Sequence, residues 1–336
     1  MYYLFQTDPN QINPEIKHTD FRDYYPAISM SMSWKNVVPY IRQAYFANIL
    51  PYVGTDLWSV LNANALLPVN DQDASLSELS MLIKQALALY AINLGYPELN
   101  THISDGMVST PAPDKAMPVS QWAFVAARWN LIIRAEKNLD LALEYIIKNN
   151  IAPWSAGDDY KHPLMAGAVE LQKYVKVNGH RAYMAMHPYF DKAVQNLGAI
   201  LSCDVMDDIM ANIDNPDYAG VVDDIKRYIA HYTLEITIPR MLTFVEGDSL
   251  VFIHNADGIK EGTGVYSKPN MEAVQMLIAS CKRDYASTLE AMILKMRKDP
   301  TTFAAYATYL DSLKDESAAV ITTDMCGNVV GGVGFF

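Results

Sequence analysis

Residues 83–99 read IKQALALYAINLGYPEL, and residues 225–241 read IKRYIAHYTLEITIPRM. Both place Ala five, Tyr seven and Pro fourteen positions after the first Ile (Ala88, Tyr90, Pro97; Ala230, Tyr232, Pro239). A chain that says one thing twice is constrained to build it twice, so the repeat comes before any other reading. More of the sequence falls into line around it. His187-Pro188-Tyr189 answers Val38-Pro39-Tyr40, and Ala193 answers Ala44. The pattern IL-x-x-D-V-M-x-x-I at 200–209 echoes YV-x-x-D-L-W-x-x-L at 52–61. Each copy spans about 150 residues, too few copies for a solenoid and the right number for two similar domains.

Hydrophobic spacing sets the fold class. Trp34, Val37, Val38, Ile41, Ala44, Tyr45, Asn48 and Ile49 recur at helical intervals, with Ser33 as the expected N-cap. A second helix is expected from Thr55 to Asn62. A third, capped by Ser75 or Ser77, runs to Gly95 before Pro97. Segment 100–118 is rich in Gly, Pro, Ser and Asp, with a short extended piece at THI or MVS. Ser120 then caps a long helix over Gln121–Asn149, with Leu139, Leu143, Ile146 and Ile147 on its apolar stripe. A linking helix, PLMAGAVELQKYVKV, leads to the second copy. There the extended stretch VEGDSLVFIHNADG precedes a long helix over Asn270–Lys298 and a short one over Thr301–Leu313. The expected fold is mainly α: two tandem similar helical domains with small extended or β insertions and extended termini. The boundaries are an arm at 1–33, a first repeat at 34–160, a second at 161–313 and a Gly-rich tail at 314–336.

Composition narrows the function. Hydrophobic residues make up 51% and charged residues 19%, enough apolar material for packed cores. The net charge of −12 argues against a protein that grips nucleic acid, whose footprint is basic. The start, MYYLFQTDPNQ, has no charged and apolar signal-peptide pattern, and no run of 18 apolar residues suggests a membrane span. No membrane partner is expected.

Catalytic signatures are missing from the sequence. It contains no GxSxG, Walker A loop, HExxH or Rossmann glycine pattern. His18, His102, His162, His180, His187, His231 and His254 never fall four apart. Cys203, Cys281 and Cys326 are widely spaced, so three thiols are expected rather than a disulfide framework or a zinc site. Asp223 and Asp224 are expected near a helix start, where they favour the macrodipole. Tyr40, Tyr90, Tyr189, Tyr232, Trp122 and Trp129 read as core because of their helical spacing. No enzyme, cofactor or metal is expected.

What remains are contact surfaces. Val251, Phe252, Ile253 and His254 form an apolar extended piece carried on a helical frame, where binding residues tend to sit. The tail ends in a β-branched, Gly-rich run with Val329, Val330, Phe335 and Phe336. It can tuck onto its own domain or add to a neighbour. The rival reading is a helical small-molecule binder or enzyme with a site between the two halves. Its candidate set is His231, Glu235, Asp204 and His187, against Leu89, Asn93 and Asp56 in the first copy.

The segments VPYIRQAYFANILPYVGTDLWSVL, LIKQALALYAINLGYPELNTHISDGMV and LDLALEYIIKN followed by PW carry a resemblance. They resemble a family of proteins from phages and prophages of Bacteroidota whose members hold the same half twice. Each half is similar to the small helical head–tail connector (adaptor) proteins of tailed phages. The likeness covers Trp34 to Leu313 and rests on packing motifs. The loop DNPDYAG and the Gly-rich tail depart from the family pattern. The resemblance implies a structural virion protein of the phage neck, assembled in the host cytoplasm. Its partners would be the portal protein, tail or neck proteins, and copies of itself in a ring. Twelve copies are favoured, matching a dodecameric portal, over six with each half taking one place. DNA would pass through the lumen without specific binding, and an acidic wall suits that passage.

Overall fold

A computed structural model describes Phe21, Tyr24 and residues 34–99, 102–104, 107–109, 121–177, 179–240, 243–246, 249–252 and 271–315. The described residues are mainly α-helical. They divide into two compact units, with the boundary between Lys161 and His162.

The first unit opens with α1 (Trp34–Ala44) and a π-helical turn (Tyr45–Ile49). It continues through α2 (Leu50–Val53), α3 (Thr55–Leu66) and α4 (Ala74–Leu99). A hairpin follows, β1 (His102–Ser104) antiparallel to β2 (Met107–Ser109), with Ile103 opposite Val108. Then come α5 (Gln121–Lys148) and α6 (Ala156–Tyr160). The centre is α4, whose residues Ala86 to Asn93 are all buried. A helix apolar on every side has to be wrapped, and α1, α3 and α5 pack around it. Leu131, Ala135, Leu139, Ala142, Leu143 and Ile146 of α5 are buried, close to the stripe expected from the sequence.

The second unit runs through α7 (Ala168–Leu171), α8 (Gly179–Met186), a 3-10 turn (His187–Tyr189), α9 (Phe190–Leu201), α10 (Cys203–Ala211) and α11 (Ala219–Thr237). The hairpin of β3 (Thr243–Glu246) and β4 (Ser249–Phe252) follows, then α12 (Met271–Lys298) and α13 (Ala304–Asp315). The central role falls to α11, packed by α8, α9 and α12. Both units thus have a buried helix, a hairpin and a long covering helix in the same order.

Two backbone details match across the units. Gly54 (φ 77°, ψ 164°) starts α3, and Ser202 (φ 93°, ψ 154°) starts α10. In each case the residue's N–H bonds to the carbonyl four back, Leu50 or Gly198. Its own carbonyl receives the N–H four ahead, Trp58 or Met206. The matched positions here differ by 148 (202 against 54), whereas Ala44 and Ala193 differ by 149. The first unit therefore has one residue more between these points, and the π-helical turn at Tyr45–Ile49 lies within that interval. Burial follows the two spacings: Ile41 and Ala44, with Phe190 and Ala193 149 residues on, are buried, as are Ile49 and Val53, with Leu197 and Leu201 148 residues on.

This makes a sharp prediction. Deleting exposed Ala47 should turn the π-helical turn into ordinary helix and change stability by about 1 kcal/mol or less. Deleting exposed Gln195 from α9 should rotate Leu197 and Leu201 by about 100° off the core. That deletion should cost about 3 kcal/mol or more. Urea unfolding followed by circular dichroism measures both, and equal losses would reject the one-residue account.

Several expectations need correction. The cap of α4 is Asp73, whose Oδ1 accepts from the N–H groups of Ser75 (2.8 Å) and Leu76 (3.0 Å). Ser77 instead bonds back to the Asp73 carbonyl at 2.8 Å. α4 runs through Pro97 to Leu99, since a proline in the final turns removes one backbone bond and no more. The linking helix over 163–177 shrinks to the four residues of α7, because His162 and Met165 bridge and hold the chain extended before Gly167. Asp223 and Asp224 lie beyond the first turn of α11 and make side-chain pairs. Cys203 is disulfide-bonded and only Cys281 is free among the described residues, so the expectation of three thiols fails. Tyr90 is buried as expected, whereas Tyr40, Tyr189, Tyr232 and Trp129 are half-buried, and Trp122 lies outside the described side chains.

Candidate functional site

The contact residues proposed from the sequence fall only partly within view. Val251 and Phe252 lie on β4, opposite Phe244 and Thr243. Ile253, His254, Val329, Val330, Phe335 and Phe336 lie outside the described residues. The hairpin sits in the chain between α11 and α12, as β1–β2 sits between α4 and α5.

The rival set lies on three elements of the second unit. His231 and Glu235 are one turn apart on α11, and both meet α12. Asp204 is in the first turn of α10, while His187 is in the 3-10 turn among the rings of His162, Tyr183 and Phe190. The α11–α12 seam holds a polar cluster, and α12 residues that were not singled out from the sequence complete it. Lys282 Nζ lies 3.2 Å from Glu235 Oε1, and Asp284 Oδ2 lies 3.9 Å from His231 Nδ1. Further along, Lys295 Nζ sits 2.5 Å from the buried Asp224 carboxylate and donates to the Gly220 carbonyl at 3.0 Å. Between these pairs Tyr228 stacks on Tyr232 (5.7 Å), and both meet Tyr285 edge-on (5.4 and 5.5 Å). The Tyr228 hydroxyl donates to Asn196 Oδ1 of α9 at 2.6 Å.

Burial sets the protonation of this seam. It pushes the Cys281 thiol up to about 12, with Asp284 and Glu235 adding to it, so the sulfur stays protonated and inert. It pushes Tyr285 up to about 12, with Glu235 again assisting. It holds His231 below the ordinary histidine range, against the pull of Asp284. Neutral His, neutral Cys and paired charges make a fastening between two helices rather than an activated nucleophile.

The first unit fastens the same two helices by other means. Arg128 Nε donates to Asn93 Oδ1 at 3.3 Å, and the Tyr145 hydroxyl donates to Glu78 Oε2 at 3.0 Å. Asn93 and Glu235 stand ten residues after Ile83 and Ile225, and each bonds to the long helix that follows the hairpin of its unit. Lys84, the match of Lys226, lies 5.7 Å over the Tyr24 ring. Lys226 itself pairs with Glu170 at 2.5 Å.

Among the described residues no group of three or more His, Cys, Asp or Glu could hold a metal ion. None of the described helices is long and apolar enough to cross a membrane. No protein-family model, curated protein or solved structure matches the chain.

Proposed function

We propose that the chain is a structural subunit of the phage neck, a head–tail connector (adaptor) protein built from two copies of one duplicated helical unit. The observation that carries the reading is the shared plan of the two units. They have the same order of helices and hairpin, the same positive-φ break at Gly54 and Ser202, and a one-residue difference over the interval that holds a π-helical turn. Such a plan, together with the resemblance of each half to connector proteins, supports a building block whose work is to hold shape and bind neighbours.

The energetics support the same reading. In each unit polar side chains tie the long covering helix to the buried one. A frame of this kind can carry its hairpin for docking. In this proposal the hairpin at Val251 and Phe252 meets the portal or a tail protein. Copies of the chain close a ring around the DNA channel, and the acidic balance keeps DNA from sticking.

Co-assembly tests the proposal. The purified chain is mixed with the portal ring encoded beside its gene, and the complex is weighed by native mass spectrometry. Twelve chains per portal are expected, or six if each unit takes one place. The double substitution Val251→Asp with Phe252→Asp should weaken binding at least tenfold while leaving the helical content unchanged. A chain that stays monomeric and unbound at every salt concentration would overturn the reading.

A further inference from the structure

The two units meet in sequence at Lys161 and His162, and the chain is pinned on both sides of that point. On the first side Lys161 Nζ sits 4.8 Å over the Trp154 ring, and Trp154 Nε1 donates to the Tyr52 carbonyl at 2.8 Å. On the second side the pin is a single imidazole. His162 is 7% exposed. Its Nδ1 accepts the N–H of Leu164 at 3.2 Å, and its Nε2 stands 3.4 Å from Asp191 Oδ1. The backbone closes the same turn: Met165 N–H donates to the His162 carbonyl at 3.0 Å, and His162 N–H returns to the Met165 carbonyl at 3.4 Å. The Tyr183 hydroxyl donates to that same Met165 carbonyl at 2.6 Å.

We propose that His162 is an acid-released latch at the start of the second unit. Protonation of its ring opens the turn at 162–165, while the helices of the second unit stay folded. This inference is independent of the connector reading.

The geometry carries the argument. An Nδ1 that accepts a backbone N–H has its lone pair in use, so the ring proton is on Nε2, facing Asp191. The neutral ring thus satisfies both nitrogens. A second proton must go on Nδ1, where it meets the Leu164 N–H head-on. The hydrogen bond is lost, and two donors face each other at a buried position. Leu164 and Met165 are fully buried, so no water stands by to accept from them.

The surroundings decide which way the balance tips. Phe190 at 5.4 Å and Tyr183, whose phenol stays protonated because burial raises it, line the ring with apolar surface. From the 3-10 turn comes His187, a second imidazole at 6.3 Å whose charge would oppose a cation. From α9 comes Asp191, which favours the cation but is 83% exposed and therefore screened. Glu170 of α7 bears on Tyr183 and is held by Lys226 of α11 and by the Ala166 N–H. Burial outweighs Asp191 and sets His162 below the ordinary histidine range. With a folded pKa below the unfolded value, the latch contributes fully above about pH 6.5. Its contribution is lost as pH falls from there toward the folded pKa.

Hydrogen exchange at single-residue resolution, corrected for intrinsic rates, tests this at pH 7.5 and pH 5.0. The amides of Leu164 and Met165 should lose protection at least tenfold at pH 5.0, with those of Met206 and Ile209 in α10, a helix without histidine, changing less than twofold. His162→Asn, whose Oδ1 can still accept from Leu164 but does not titrate, should abolish the difference. The proposal is overturned if Leu164 and Met165 keep equal protection at both pH values. It also fails if α10 loses protection with them, or if His162→Asn responds to pH as the natural chain does. Should that variant not fold, 15N shifts of the His162 ring in the natural chain decide. An Nδ1 bearing the proton at pH 7.5 rejects the latch; an acceptor Nδ1 that titrates in step with Leu164 exchange supports it.

Discussion

Gly54→Ala should cost the first unit about 3 kcal/mol, and few single methyl groups added anywhere in this chain should cost more. Two effects add. Gly54 sits at φ 77°, ψ 164°, a region that residues with a Cβ enter only under strain. A Cβ there would also lie 2.9 Å from Ser155 Oγ and 3.2 Å from the Ala156 backbone nitrogen. The serine can rotate away, but the backbone at the start of α6 has to move. That movement disturbs the Trp154 indole, which bonds to the Tyr52 carbonyl two residues before Gly54. Thermal unfolding should record a fall of about 6–12 °C, using the usual slope for domains of this size.

The second unit supplies the internal control. Ser202 holds the matched conformation with a Cβ in place, and its Oγ accepts the Val205 N–H at 3.3 Å. Ser202→Gly would relieve strain of about 2 kcal/mol and lose a cap and some chain entropy of about the same total. That change should therefore be close to neutral. A Gly54→Ala protein within 1 kcal/mol of the natural chain would reject the account, because strain and contact would both have to vanish.

Much of the frame was legible in the sequence because its signals are local. Ile83-Lys84 and Ile225-Lys226 open turns of helices that are the buried centres of their units. The Asp-containing pattern after Gly54 and Ser202 marks α3 and α10 because an acid in a first turn favours the helix dipole. The hairpins follow from β-branched residues beside Gly and Asp. What was not legible depends on partners far away in the chain. Nothing near Asp224 announces Lys295, and nothing near His231 announces Asp284. The extra residue in the first unit was implied by matches at spacings of 148 and 149, yet sequence alone does not say whether a loop or a helix absorbs it. The linking helix failed for a similar reason. Helical spacing in 163–177 was real, but the His162–Met165 bridge and the Tyr183 hydroxyl hold that backbone extended. Tertiary contacts there outweigh a weak local preference.

Phe190→Ala should be the most damaging truncation in the second unit, at about 3–5 kcal/mol. Phe190 is fully buried at the first position of α9, with the rings of Tyr183 (5.5 Å), His162 (5.4 Å) and His187 (5.6 Å) around it. Removing the ring empties a space that three aromatic side chains share, and two of them are held in place. Tyr183 is tethered through its hydroxyl to Met165, and His162 through both nitrogens to Leu164 and Asp191. A site that cannot collapse pays the full cavity cost. Native-state hydrogen exchange gives the measurement, because protected amides of α11 should weaken by that amount while those of α4 provide the reference. The same experiment on Ile41→Ala tests the duplication. Ile41 is the matched position in α1 and is also fully buried. Its truncation should weaken α4 by about 2–5 kcal/mol. A Phe190→Ala protein that loses less than 1 kcal/mol in α11 would show that the ring cluster does not carry the core. If instead Ile41→Ala leaves α4 untouched, residues matched by sequence do not do matched work, and the two-copy reading of the chain loses its physical basis.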